Sequence, residues 1–143
     1  MAEKTEKLTS LTILIDSSTQ PALGSPVKLK TSGVFEGEIC SGANDIPIGF
    51  IENVERSNTG LATEQRWACR VPVLGAVQEL DVNGSVAIGA RLILHSSGTK
   101  MVSQEVVLTG ANHKFSPAIA LDNNSSGDAR IMCLAQPAYI PIT

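Results

Sequence analysis

The chain has 143 residues, a formal net charge of −3, and 17% charged against 43% apolar residues. One domain of that length can bury about 70% of its unfolded surface, so folding requires neither a metal nor a disulfide. The 11 Lys and Arg form no basic block, which argues against a phosphate-neutralising surface for nucleic acid, and no stretch approaches the roughly 20 apolar residues of a membrane span.

Residues 1–9 mix acids and bases without an apolar run, so they read as a mobile arm or one short helical turn, and an extended arm (residues 1–10) is expected ahead of a single β domain at 11–143. They lack the apolar segment of a secretory signal, and a cytosolic site of synthesis is expected. Leu11, Thr12, Ile13, Leu14 and Ile15 form a strand rich in β-branched side chains. Pro21 and Pro26 bracket a loop whose Gly24 leads into Val27-Lys28-Leu29-Lys30. Period two there puts Val27 and Leu29 on one face and both lysines on a wet one. A turn at Thr31-Ser32-Gly33 precedes a candidate strand over 34–40, whose Glu36 and Glu38 share a solvated face, and a second turn follows over 41–45. Residues 47–53, a long turn over 55–64 and residues 67–71 make a hairpin.

In the second part, Asn83-Gly84 carries the strongest short hairpin signal, because both residue types tolerate the positive φ of a type I′ turn. Val86, Ala87, Ile88 and Gly89 lead into a strand at Arg91-Leu92-Ile93-Leu94-His95, closed by Ser96-Ser97-Gly98-Thr99. Residues 101–108 read as a strand or a short helix. A hairpin follows over 115–134, with a turn cluster at 122–128. The tail from Pro137 to Thr143 holds two prolines, which exclude a central strand and favour an extended edge segment.

Two modules of roughly sixty-five residues emerge, at about 24–71 and 89–135. Gly24-Ser25-Pro26-Val27-Lys28-Leu29 aligns with Gly89-Ala90-Arg91-Leu92-Ile93-Leu94, and Ser32-Gly33 with Ser97-Gly98. Pro47-Ile48-Gly49-Phe50-Ile51-Glu52-Asn53 aligns with Pro117-Ala118-Ile119-Ala120-Leu121-Asp122-Asn123, and Trp67-Ala68-Cys69-Arg70-Val71 with Ile131-Met132-Cys133-Leu134-Ala135. The expected fold is all-β, a small barrel or sandwich built from two repeated β-modules.

Chemistry is sparse. No nucleophile elbow, zinc-protease helix or phosphate loop occurs, so no catalytic or cofactor-binding residue is assigned. His95 and His113 have no ligand spacing with Cys40, Cys69 and Cys133, and no metal is assigned. The three cysteines read as small buried apolar residues, and Trp67 as a core side chain.

The phrase Val86-Ala87-Ile88-Gly89-Ala90-Arg91-Leu92-Ile93-Leu94, the turn Ser97-Gly98-Thr99 and residues 117–131 together resemble the capsid decoration, or cement, proteins of tailed phages. The first module, with Ile48-Gly49-Phe50-Ile51 and Val71-Pro72-Val73, is similar to the corresponding earlier phrase, and the resemblance covers about residues 24–135. The chain departs from that pattern at Ala118-Ile119-Ala120, where a Gly is common, in the long turn over 55–64, and in its charged arm.

The resemblance implies a structural virion protein on the outer surface of the expanded phage head, made in the bacterial cytoplasm. It would hold neighbouring capsomers together as a homotrimer bound to the major capsid protein, without nucleic acid, membrane or cofactor. The arm, the first apolar strand and the proline-broken tail supply the expected partner-contact residues, Leu8, Leu11, Ile13, Ile15, Tyr139, Ile140 and Ile142. Two other readings stand beside it. One is a β-sandwich binding module, carbohydrate-binding or of tail-adhesion type, using Trp67 and Tyr139 as its platform; the other is a small cysteine hydrolase.

Overall fold

The computed structural model describes residues 10–31, 35–42, 45–57, 66–72, 75–95, 101–103 and 113–141. Among them every regular element is a strand. The first half of the chain holds β1 (Ser10–Asp16), β2 (Pro26–Leu29), β3 (Gly37–Ile39), β4 (Gly49–Phe50), β5 (Asn53–Ser57) and β6 (Arg66–Pro72). The second holds β7 (Val77–Asn83), β8 (Arg91–Leu94), β9 (Met101–Ser103), β10 (His113–Ser116), β11 (Ala118–Ala120), β12 (Asp128–Leu134) and β13 (Ala138–Pro141). The fold is all-β. The first half curls into a sheet of order β4-β2-β3-β1-β6-β5, the second closes as a barrel of order β11-β12-β7-β9-β8, and β10 pairs with β13 as a separate ribbon.

The two halves share one pairing scheme. β1 runs parallel to β3 at Ile15 opposite Gly37, and antiparallel to β6 from Ser10 opposite Pro72 to Asp16 opposite Arg66. β7 does the same, parallel to β9 at Val82 opposite Met101 and antiparallel to β12 from Val77 opposite Leu134 to Asn83 opposite Asp128. β2 lies between β3 and β4 as β8 lies between β9 and β11.

Loop hydrogen bonds repeat as well. The N–H of Gly24 donates to Ile51 O and that of Gly89 to Ala120 O, both at 2.8 Å. The N–H of Ile51 donates to Ser25 O and that of Ala120 to Ala90 O, both at 3.0 Å. Glu52 N–H donates to Arg70 O as Leu121 N–H donates to Met132 O. Each half therefore starts one strand earlier than the sequence alignment suggests, at β1 and at β7.

Alternation places the core. Ile13 and Ile15 of β1 point inward with Val27, Ile51, Cys69 and Val71, while Thr12 faces out. In the barrel, Leu80, Val82, Leu92, Leu94, Ala118, Ala120, Ile131 and Cys133 form the larger cluster, and Cys40 and Phe50 of the first half join it. Burying each large aliphatic side chain is worth about 1.5–3 kcal/mol before chain entropy is counted. Because Phe50 and Cys40 belong to the second cluster, the two halves share a core.

Several expectations change. Asn83-Gly84 makes no type I′ hairpin: Gly84 has φ of +88°, but among the described residues no non-glycine has a positive φ. β7 instead takes its antiparallel partner from the distant β12, which puts Leu80 and Val82 opposite Ile131 and Ala129 in the barrel wall. Over residues 34–40, only Gly37–Ile39 is strand, and residues 32–34 lie outside the described residues. Met101–Ser103 is strand, and residues 104–108 lie outside them.

Ser10 belongs to β1, an interior strand of its sheet, and the rest of the expected arm, residues 1–9, lies outside the described residues. The shared face of Glu36 and Glu38 is ion-paired rather than simply solvated. Glu36 meets Lys30 at 3.3 Å and Arg66 at 3.5 Å, and Glu38 meets Lys28 at 3.4 Å.

Candidate functional site

The expected partner-contact residues scatter. Ile13 and Ile15 are 0% and 2% exposed, because β1 turns them into the core between β3 and β6, and they offer a partner nothing. Ile140 is buried against Ile93. Leu11 is half-buried against the first core, and Tyr139 stands exposed on the ribbon. Leu8 and Ile142 lie outside the described residues.

The seam between the halves is a better-formed surface, and sequence reading missed it. A shallow groove of about 260 Å³ is lined by Leu23, Gly24, Ile51 and Glu52 from the first half and by Val77, Gln78, Glu79, Arg130 and Met132 from the second. Leu23, Val77 and Met132 are large apolar side chains left exposed along it. No local signal marks them, because period two gives Val77 and Met132 outward positions on their strands but only the fold brings those positions beside Leu23.

Two polar contacts cross the seam, and a third, within the second half, steadies one of them. Gln78 Nε2 donates to Phe50 O at 3.3 Å, and Arg130 Nη2 donates to Leu23 O at 3.3 Å. Arg130 Nε also donates to Asp81 Oδ1 at 3.0 Å, and this bond holds the guanidinium charged even more firmly than usual. Gly24 rests directly on β7: a Cβ placed on it would lie 3.6 Å from Glu79 O. Glu52 and Arg70, opposed across the strands beside the groove, form an exposed ion pair at 3.1 Å.

A second polar cluster braces the first sheet. Asp45 accepts from Lys28 Nζ at 2.9 Å, from Ser41 N–H at 2.8 Å and from Gly42 N–H at 3.3 Å. The Lys28 bond, then the backbone bonds, hold its carboxyl below the usual carboxylate range, and the same bond raises Lys28. Asp45 thus ties its own loop, through Ser41 and Gly42, to Lys28 of β2, so the cluster reads as structural.

All three thiols are buried. Burial pushes Cys40 and Cys133 up to about 12 and Cys69 up to about 11, away from the thiolate that a nucleophile requires. Trp67 is half-buried against the first core and donates Nε1–H to Ser17 O at 3.0 Å. Tyr139 instead meets Phe115 on the ribbon in an edge-to-face arrangement, with ring centroids 5.5 Å apart at 66°. Among the described residues no group of three or more His, Cys, Asp or Glu is placed to hold a metal ion. No helix among them is long and apolar enough to cross a membrane.

No protein-family model, no curated protein and no solved structure matches this chain.

Proposed function

We propose that the chain is a capsid decoration protein: it binds the major capsid protein on the outer surface of an expanded tailed-phage head, as a homotrimer, and cements neighbouring capsomers. The observation that carries this reading is the seam, where Leu23, Val77 and Met132 stand exposed around a shallow groove rimmed by Glu52, Glu79 and Arg130. An apolar strip with a charged rim has the anatomy of a protein-docking surface rather than of an enclosed ligand site. The sequence resemblance supports the same reading, since its phrases supply the Gly89 loop, β8, β11 and β12.

Such a protein needs no deep pocket. Each docking contact can be modest, because repetition over a lattice multiplies it and every bound copy favours the assembled shell over its dissociated state.

Co-sedimentation with undecorated heads tests the proposal. The chain is expected to pellet with expanded heads and not with unexpanded ones, and Met132→Glu is expected to weaken that binding at least about tenfold. Equal recovery with both kinds of head, or with neither, refutes it.

A further inference from the structure

We infer that copies of this chain join head to tail, the Ile88-Gly89 loop and Leu121 of one copy seating on the outer face of β1 and β6 of the next. The inference deepens the self-assembly part of the proposed function and is independent of capsid binding. It starts from the repeated pairing scheme, which gives each half the same two surfaces. One is a loop surface, Leu23, Gly24 and Glu52 in the first half and Ile88, Gly89 and Leu121 in the second. The other is a strand face, Glu79, Asp81 and Arg130 in the second half, with counterparts Thr12, Leu14 and Ala68 in the first.

Within one chain a single pairing of these surfaces is made. The first half's loop rests on the second half's strand face: from the Cβ position of Gly24, Glu79 O is 3.6 Å away and Leu80 Cα and Asp81 N are 3.9 Å away. Arg130 and Gln78 tie the same contact to Leu23 O and Phe50 O. Among the described residues the reciprocal pairing is not made. Gly89 repeats the Gly24 backbone at φ +82°, yet among the described residues nothing beyond its chain neighbours comes within 4 Å of its Cβ position. The contact between halves is therefore heterologous, and a heterologous contact leaves one loop and one strand face unused at opposite ends of the pair.

Both unused surfaces are suited to burial. Ile88 is 62% exposed and Leu121 42%. On the receiving face, Leu14 and Ala68 stand opposite each other where the second half has Asp81 and Arg130, so a salt bridge is replaced by two apolar side chains. Inside the chain the contact is locked by charge. Between copies the loop brings Ile88 and Leu121 to the half-buried apolar pair Leu14 and Ala68, which Arg70 and Glu55 flank on the same face, and the occupant that fits the receiving face is the loop already shaped for its counterpart.

Sedimentation velocity on the full chain tests this without heads, so its failure leaves head binding to be decided by co-sedimentation. The wild-type chain is expected to associate with rising concentration. Ile88→Glu on the loop and Thr12→Arg on the face, both at exposed positions, are each expected to raise the association midpoint at least about tenfold, with circular dichroism unchanged. An equimolar mixture of the two variants keeps one good loop and one good face, so it forms a one-to-one dimer and nothing larger. A wild-type chain that stays monomeric, an Ile88→Glu chain with wild-type mass, or a mixture that grows past the dimer overturns the inference.

Discussion

Gly24 and Gly89 hold the same left-handed turn, φ +82° in each, but only Gly24 is packed against a neighbouring strand. An L side chain at that φ is strained whatever the space around it. Gly24→Ala and Gly89→Ala are thus expected to cost about the same, roughly 1 kcal/mol each. Valine separates them: at Gly24 its methyl groups meet the β7 backbone and add about 1–3 kcal/mol, whereas Gly89 faces open space. Urea unfolding of the four variants checks this, and equal losses for the two valines would mean that the seam is not packed as described.

Gly49 and Ala118 occupy matching places in the two sheets, opposite Val27 and Leu92. A Cβ on Gly49 collides with Val71 Cγ1 and lies 3.1 Å from Pro72 O. Gly49→Ala is expected to destabilise by about 1–3 kcal/mol through overpacking. Ala118→Gly, in a fully buried wall, is expected to lose about 1 kcal/mol through strand flexibility and a small void. Thermal melts that show Gly49→Ala unchanged would place more room beside Val71 than the fold allows.

Asp45 ionises more readily in the folded protein because Lys28 and the Ser41 and Gly42 amides bond its carboxylate. A depressed carboxyl stabilises above its unfolded value, about pH 4, and that contribution disappears as pH falls through the folded value. Lys28, raised by the same partner, contributes fully below about pH 10.4 and loses its share as pH rises through its folded value. Asp45→Asn is expected to lower the denaturation midpoint at neutral pH and to flatten the stability curve below about pH 4. An acid limb as steep as that of wild type would assign it to other carboxylates.

Cys40, Cys69 and Cys133 are expected to resist thiol reagents at pH 8, because burial holds them protonated and out of reach. Labelling should follow the rate of unfolding and speed up in denaturant. Rapid stoichiometric labelling of the native chain would show an accessible thiolate and reopen the cysteine-hydrolase reading.

The sequence alignment of the modules succeeds and slips for definite reasons. Gly24 through Leu29 matches Gly89 through Leu94 residue for residue, because both loops need a glycine at the same positive φ. At the first strand of the hairpins the alignment sets Ile51 against Leu121, but the shared hydrogen bonds set Ile51 against Ala120. A common Pro and a common acid-Asn pair draw the sequences one residue out of step, a slip that exchanges core and surface. At the second strand, Cys69 is set against Cys133, whereas the pairing sets it against Ile131. That slip of two keeps the inward face inward, so hydrophobicity cannot detect it.

Alternating apolar residues, β-branched runs and Gly, Pro and Asn turns were sufficient to determine an all-β chain with two similar parts, because period two and turn chemistry are local properties. Tertiary structure alone decided that Ser10–Asp16 is an interior strand, that β1 and β3 run parallel, and that Phe50 joins the other half's core. These depend on backbone hydrogen bonds and burial between residues far apart in the chain. For the same reason only the fold separates the apolar side chains that fill the core, such as Ile13 and Ile15, from those left at the surface, such as Leu23, Ile88 and Met132.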